Sequence, residues 1–191
     1  MNIVVYCGSS YGDDPAFGAS AHELGEWIAS QGHTLVYGGS NSGLMEIVAN
    51  SALAANGKVI GVEVQILAEK GFAHTGLTKL IMTPNMSVRR KTMLDLGDAY
   101  IALPGGMGTL DEISEAAVMK RIGLSNKPCI ALNINGYYDP LIELCKRMCD
   151  HGFHPAEQRS LIEFATSVAE ISKILQPYAG SNTKAHSPQP H

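Results

Sequence analysis

Long hydrophobic runs are missing from this sequence, and its first residues do not form a signal-peptide pattern. No apolar stretch approaches the roughly 18 residues that a membrane-spanning helix needs. Residues 1–6 enter a strand-like pattern directly, without the charged, apolar and small-residue regions of a secretory signal. We therefore expect a soluble, cytoplasmic protein that does not bind a membrane.

Cysteine is scarce, and its spacing matches no metal motif. The four cysteines stand at positions 7, 129, 145 and 149, without a CxxC pair. A zinc site would need further well-spaced ligands, so we predict reduced cysteines and no bound metal. The chain also lacks a P-loop, a GxSxG turn, an HExxH helix and a GxGxxG dinucleotide fingerprint.

An excess of basic residues is missing too. The chain has 14 Lys and Arg and 18 Asp and Glu, for a net charge of −4, so it has no overall basic surface for nucleic acid. Its 191 residues fit one domain, since domains average roughly 150 residues. We place that domain at residues 1–178. Residues 179–191 are rich in Ser, Pro and other polar residues, which predicts a disordered tail.

Short apolar segments alternate with helical patterns along the chain. Strands are predicted at residues 3–7, 34–37, 58–64, 78–82, 99–103, 128–132 and 160–164. Helices are predicted at residues 15–31, 43–56, 86–96, 109–122, 139–150 and 166–175, and a loop with room for one helical turn at residues 65–76. The alternation predicts an α/β fold, a Rossmann-like, doubly wound parallel sheet in a three-layer α/β/α arrangement.

The glycine-rich segment LPGGMGT, residues 103–109, lies where a predicted buried strand turns into a helix. Glycines let the backbone approach a ligand closely, and the free N–H groups of a first helical turn favour an anion. Thr109 is the predicted N-cap, and its hydroxyl can also reach a phosphate oxygen. Asp111 and Glu112 would then lie in the first turn, where acidic side chains complement the helix dipole.

Two further glycine turns follow predicted strands, at residues 8–10 and 38–40. The carboxyl ends of parallel strands meet at one edge of a sheet, where ligands bind. The cluster Arg89-Arg90-Lys91 opens the helix before the 103–109 loop, either as a solvated face or as a phosphate site. Cations at a helix start oppose the dipole, and arginine matches phosphate bidentately, so we favour the phosphate site.

Acidic side chains near the loop offer chemistry beyond binding. Asp111 and Glu112 are the nearest, Glu115 shares a helix face with Glu112, and Glu46 follows the second glycine turn. A carboxylate beside a sugar can bind hydroxyls, stabilise an oxocarbenium-like centre or activate water. It can equally cap a helix or pair with an arginine, and the spacing leaves these roles open. No histidine is assigned to catalysis.

Four segments resemble the motifs of the LOG family. PGGMGTLDE at residues 104–112 matches PGGxGTxxE, and MSVRR at residues 86–90 is similar to MxxRK. YGGSNSGLM at residues 37–45 resembles YGGxxxGLM, and NGYY at residues 135–138 resembles the next landmark of the family. The resemblance runs in order from the first strand to about residue 175.

The resemblance implies a nucleoside 5′-monophosphate phosphoribohydrolase, which cleaves the N-glycosidic bond of AMP or N6-modified AMP. The products are ribose 5-phosphate and the free base, a cytokinin when the base carries a prenyl-type group. By the family's pattern Arg89 and Glu112 would be catalytic. The positions implied to hold the substrate are Gly8, Ser9, Gly39, Met86, Arg90, Gly105, Gly106, Met107, Gly108, Thr109 and Asp111. The family also implies a homodimer that needs no cofactor.

Some positions depart from the family's pattern. Arg90 replaces the usual lysine, and Glu46 stands where a glycine is common. Gly71 falls near a common glutamate, and Val118 falls near a common threonine. These substitutions leave open which base the protein prefers.

Two other functions are alternatives to the hydrolase. Molybdenum-cofactor carriers have similar glycine loops and bind phosphorylated ligands without cleaving them, but the retained Arg89 and Glu112 favour an enzyme. Members of the LOG family have also been labelled lysine decarboxylases. That reaction needs pyridoxal phosphate on a Schiff-base lysine, and no such site is visible in a chain of this length.

Overall fold

The computed structural model describes residues 1–155 and 160–178. Within them the strands are β1 (Asn2–Tyr6), β2 (Thr34–Tyr37), β3 (Lys58–Val64), β4 (Lys79–Thr83), β5 (Ala99–Ala102), β6 (Cys129–Leu132) and β7 (Glu163–Ala165). The helices are α1 (Pro15–Ser30), α2 (Gly43–Ala54), α3 (Gln65–Glu69), α4 (Met86–Leu96), α5 (Met107–Arg121), α6 (Asp139–Asp150) and α7 (Val168–Leu175). The predicted tail at residues 179–191 lies outside the described residues.

The strands form one parallel sheet in the order β4-β3-β2-β1-β5-β6-β7. The first strand lies inside the sheet, where Val4 pairs with Val36 of β2 on one edge and with Tyr100 of β5 on the other. The chain therefore builds outward from β1 to β4 and then returns to add β5 on the opposite side. This reversal creates a crevice beyond the carboxyl ends of β1 and β5. The predicted doubly wound α/β fold is confirmed.

Helices cover both faces of the sheet. Ile3 and Val5 point to one face, in a core shared with α1, α2 and α7. Val4 and Tyr6 point to the other face, in a core shared with α4 and α5. Because both faces are buried, the inner strands read as continuous apolar runs rather than as alternating ones.

The start of α5 differs from the prediction in a way that matters for the site. The helix begins at Met107 with Gly106 as N-cap, so the prediction that Thr109 caps the helix is wrong. Thr109 is buried instead, with its hydroxyl packed beneath Gly105. Because the helix starts earlier, Asp111 and Glu112 lie beyond its first turn, and their predicted place in that turn is wrong as well.

Two smaller differences lie away from α5. Residues 65–69 form the short helix α3 within the segment predicted as a loop with a helical turn. Strand β7 starts at Glu163, about three residues later than predicted, and pairs with β6 through Phe164 and Ala131.

Gly25 marks the closest approach of α1 and α2. A Cβ at Gly25 would lie 2.5 Å from the carbonyl oxygen of Val48. We expect Gly25→Ala to lower the free energy of unfolding by about 1–3 kcal/mol, because overpacking exceeds the gain in helix propensity. Urea unfolding measures the change.

Gly18→Ala in the same helix is the matched control. A Cβ there would meet only the flexible end of Ile47, at 3.4 Å. We expect it to raise the free energy of unfolding by up to about 1 kcal/mol through helix propensity. Shifts of the same sign in both variants would contradict the close approach at Gly25.

Candidate active site

A cleft of about 330 Å³ opens at the carboxyl ends of β1 and β5, and we call it the β1–β5 cleft. Its volume lies within the usual range of small-molecule sites. The lining consists of Cys7, Gly8, Ser9, Met45, Met86, Arg89, Arg90, Gly106, Met107, Gly108, Thr109, Asp111 and Glu112. The structure therefore brings together most of the site residues that the sequence predicted.

Two predicted site residues lie outside this lining. Gly105 lines an adjoining cavity that shares Gly8, Ser9 and Gly106 with the β1–β5 cleft. Gly39 is buried against β3, where a Cβ would lie 3.2 Å from that of Glu63.

The preceding glycine, Gly38, is the one that adjoins a cleft residue. A Cβ on Gly38 would lie 2.1 Å from Nη2 of Arg89. The sequence shows two adjacent glycines and gives no sign of which one packs against the arginine.

Backbone and tyrosine hydrogen bonds hold the loops around the cleft. The N–H of Gly8 donates to the carbonyl of Pro104 at 3.1 Å, and the N–H of Leu44 donates to the carbonyl of Gly8 at 3.1 Å. The hydroxyl of Tyr137 donates to the carbonyl of Gly105, and that of Tyr138 donates to the carbonyl of Leu103 at 2.7 Å. The loop before α5 is thereby fixed from both sides.

The first turn of α5 presents free donors. The N–H of Leu110 is the first in the helix to reach an intrahelical acceptor, the carbonyl of Gly106. The N–H groups of residues 107–109 therefore have no helical partner, as at any helix start. Together with the helix dipole they make this end of the cleft suited to an anion.

Arg89 is buried, and its guanidinium contacts three different elements. Nε donates to the carbonyl of Val62 on β3 at 2.9 Å, and Nη2 donates to the carbonyl of Gly38 after β2 at 3.1 Å. Nη1 donates to Oε1 of Glu112 on α5 at 2.9 Å. Arg89 thus joins the sheet to the helix that carries the acidic side chain.

One oxygen of the Glu112 carboxyl accepts a hydrogen bond, and the other has no hydrogen-bond partner within the described residues. Its side chain is 11% exposed, and its hydrogen bond within the described residues is the one from Arg89 to Oε1. Burial raises the pKa of this carboxyl, while the neighbouring Arg89 acts in the opposite direction. A carboxyl with a raised pKa in a cleft is suited to proton transfer or to stabilising a developing cation.

Arg89, Arg90 and Lys91 at the start of α4 lie in three different environments. Arg90 lines the cleft and lies 3.3 Å from Asp111 and 3.1 Å from Glu115. Lys91 forms an exposed pair with Asp95 at 2.6 Å, so the solvated-face interpretation holds for this residue. Successive side chains of an α-helix point in directions that differ by about 100°, so three consecutive residues contact different surroundings.

Sequence reasoning missed Glu63 on β3. Its side chain is 2% exposed, and its Oε1 lies 3.9 Å from Nε of Arg89. The available signal was a charged residue inside an apolar strand, between Val62 and Val64. Glu46, which the sequence placed near the site, instead accepts a hydrogen bond from the hydroxyl of Tyr11 at 2.7 Å and does not line the cleft.

Residues 1–155 and 160–178 contain neither a cluster of metal ligands nor a membrane-spanning helix. No group of three or more His, Cys, Asp or Glu side chains there could hold a metal ion. No helix in the same ranges is long and apolar enough to cross a bilayer.

Similarity to known proteins shows which family the chain belongs to. A family model described as possible lysine decarboxylase matches residues 45–175. A cytokinin riboside 5′-monophosphate phosphoribohydrolase from Rhodococcoides fascians is 41% identical over 178 residues, covering 92% of this chain and 90% of that protein. The enzyme of the same name called LOG1, from Arabidopsis thaliana, is 34% identical and covers 97% and 87%. The chain belongs to the LOG family.

Several solved structures have a fold similar to that of this LOG-family chain. A molybdenum cofactor binding protein from Rippkaea orientalis gives a TM-score of 0.71 at 24% identity, covering 92% of this chain and 95% of that one. A Moco carrier protein from Chlamydomonas reinhardtii gives 0.69 at 23% identity, covering 93% and 96%. At such identities the likeness concerns the fold.

Removing the guanidinium of Arg89 would take from Glu112 and Glu63 the ion pair that each forms with it. We expect Arg89→Met to lower the free energy of unfolding by about 3–5 kcal/mol near neutral pH. Burial already raises the pKa of both carboxyls, and losing Arg89 raises it further. The deficit should shrink as the pH falls through these folded-state values, because protonation removes the unpaired charges.

Urea unfolding at about pH 7.5 and about pH 5 measures this difference, because a lower pH favours protonation of carboxyls whose pKa is raised. Lys91→Met is the control, because it removes an exposed ion pair worth less than about 1 kcal/mol. A deficit in Arg89→Met that is equal at both pH values would show that unpaired carboxylates do not cause it.

Proposed function

We propose that this LOG-family protein hydrolyses the N-glycosidic bond of a purine nucleoside 5′-monophosphate. The products are the free base and ribose 5-phosphate. The observation that carries the proposal is Glu112, a buried carboxyl with one oxygen bound by Arg89, in the same cleft as the free N–H groups of α5. The names of the relatives point to AMP with an N6 prenyl-type substituent, so that the released base is a cytokinin.

We place the 5′-phosphate at the N-terminus of α5. The N–H groups of residues 107–109 and the helix dipole favour an anion there. Cβ positions on Gly106 and Gly108 have no atom within 4 Å, so the backbone at these residues is open to a ligand. Arg90 adds a cation, and its longer contact, 3.3 Å to the exposed Asp111, is the one that a phosphate would replace.

A phosphate at that end directs the ribose along the cleft toward Glu112. As the bond between C1′ and the base nitrogen breaks, positive charge develops on the ribose, and a carboxylate beside it stabilises that charge. Water adds to C1′ and gives up a proton to Glu112 or to solvent, while the base leaves with the bonding electrons and takes up a proton from solvent, so that the neutral base is released. Remote binding of the phosphate supplies the orientation that this step needs.

The contacts of Arg89 favour a role through Glu112. The resemblance implied direct catalysis by both residues, but Nε, Nη1 and Nη2 of Arg89 each donate to a protein acceptor. We therefore assign the reacting carboxylate to Glu112 and its orientation to Arg89.

We also propose that the protein is a cytoplasmic homodimer. The free cysteines within the described residues are typical of a reducing compartment. Met86, Val88 and Met107 are exposed apolar side chains around the start of α4 and the mouth of the cleft, and such surfaces favour association.

Incubation with AMP, N6-isopentenyl AMP and adenosine tests the hydrolysis. We expect both nucleotides to release base and ribose 5-phosphate in equal amounts, measured by chromatography. Adenosine should react at least about 100-fold more slowly in kcat/KM, because it lacks the phosphate that orients the ribose. Binding of both nucleotides without release of base would overturn the hydrolase and favour a phosphorylated-ligand carrier.

Glu112→Gln tests the assigned carboxylate. We expect kcat for AMP to fall by about 10²–10⁴-fold, the usual contribution of a general acid or base. Inhibition by ribose 5-phosphate should persist, because the phosphate site on α5 is unchanged. Glu143→Gln on the exposed side of α6 is the control and should retain wild-type kcat. Wild-type kcat in Glu112→Gln would remove this residue from the mechanism.

A further inference from the structure

Arg89 has a second acidic neighbour, which the proposed chemistry does not use. Glu63 lies on β3 with its Oε1 3.9 Å from Nε of Arg89, and its side chain is 2% exposed. A buried charge is costly unless it is paired and hydrogen-bonded. The position of Glu63 next to the arginine that holds Glu112 therefore requires an explanation.

Packing and hydrogen bonding alone do not require a carboxylate at this position. Oε1 of Glu63 accepts the N–H of Val64 at 2.8 Å, which the amide oxygen of a glutamine would do equally well. What glutamate adds is negative charge beside the guanidinium. Burial raises the pKa of Glu63, and the contacts with Val64 and Arg89 act in the opposite direction.

Glu63 and Glu112 approach different nitrogens of one guanidinium. Glu63 lies beside Nε, and Glu112 accepts from Nη1, so one positive charge is shared by two carboxylates. All three side chains are at most 11% exposed, which limits screening by water. The trio carries a net negative charge whenever both carboxyls are ionised.

We propose that Glu63 is a positioning residue: it holds Arg89 in place and shares its charge, which leaves Glu112 only partly neutralised. The role in turnover rests on the proposed hydrolysis, whereas the effect on the titration of Glu112 does not. While Glu112 takes up a proton or changes partner, Glu63 still balances Arg89, so the arginine keeps its place between Val62 and Gly38.

Other titratable groups surround the trio. Arg90 and Asp111 lie near Glu112, from α4 and α5. Tyr6 at the end of β1 and Cys7 directly after it lie near Glu112, and Tyr37 of β2 lies near Glu63. Burial raises the pKa of these two phenols and of the thiol, so they stay neutral while the carboxyls titrate. Besides Glu112 itself, Glu63 is thus the carboxylate whose removal changes the charge beside Arg89.

The decisive experiment follows the side-chain carboxyl carbon of Glu112 by NMR in ¹³C-glutamate-labelled protein, with the signal assigned by its loss in Glu112→Gln. In Glu63→Gln, Glu112 is the remaining carboxylate beside the guanidinium of Arg89. We therefore expect the midpoint of the Glu112 titration to move down by on the order of one pH unit. Glu163→Gln, a half-buried carboxyl on β7, is the control and should leave the midpoint unchanged. An unchanged or higher midpoint in folded Glu63→Gln would overturn the proposal.

Glu63→Asp separates charge from shape. It keeps the negative charge on a shorter side chain, so we expect the midpoint to return toward the wild-type value. A midpoint equal to that of Glu63→Gln would also overturn the proposal. If Glu63→Gln does not fold, Glu63→Met takes its place as the uncharged variant, with the same expected and overturning results.

Turnover gives an independent measurement. In Glu63→Gln we expect kcat for AMP to fall several-fold with little change in KM, and the acid limb of kcat/KM to move to lower pH with the titration of Glu112. A pH profile superimposable on that of the wild type would overturn the role in turnover. If wild-type protein releases no base, the proposed function fails, and the NMR titration still decides the role of Glu63.

Discussion

The buried guanidinium of Arg89 is the interaction on which the site depends. It donates to a carbonyl after β2, to a carbonyl on β3 and to Glu112 on α5, and so fixes the distance between the sheet and the helix. A buried cation is tolerated only with such partners. Its neighbours are constrained in turn, since a Cβ on Gly38 would occupy the space of Nη2.

The sequence predicted the architecture well because apolar runs and helical periods alternate clearly along the chain. The prediction was wrong at the start of α5. Threonine is a residue type that often caps helices, which favoured Thr109, whereas the N-cap of α5 is Gly106. Cleft residues were found where glycines and arginines form a recognisable segment. Glu63 was missed because one carboxylate inside an apolar strand forms no motif, and its partner Arg89 is distant in sequence.

The balance of charge in the cleft bears on the anion site that we propose for this protein, whose net charge is −4. Arg89 and Arg90 are each paired with carboxylates, so the cleft has little excess positive charge. We therefore assign most of the attraction for an anion to the oriented backbone N–H groups at the start of α5, to which Arg90 adds when a phosphate replaces its contact with Asp111. An ion pair cannot neutralise these N–H donors, and they select an anion by the geometry of its oxygens rather than by its net charge.

The central position of β1 has a consequence for the synthesis of the protein. Ile3 pairs with Ala99, so one edge of the first strand stays open until β5 has left the ribosome. Pairing across so long a sequence separation slows folding, and an open apolar strand edge can associate with other chains. The cleft itself is complete only after Glu112 has been added. A nascent chain stalled before the start of α5 carries the first glycine turns but neither the N-terminal turn of α5 nor Glu112.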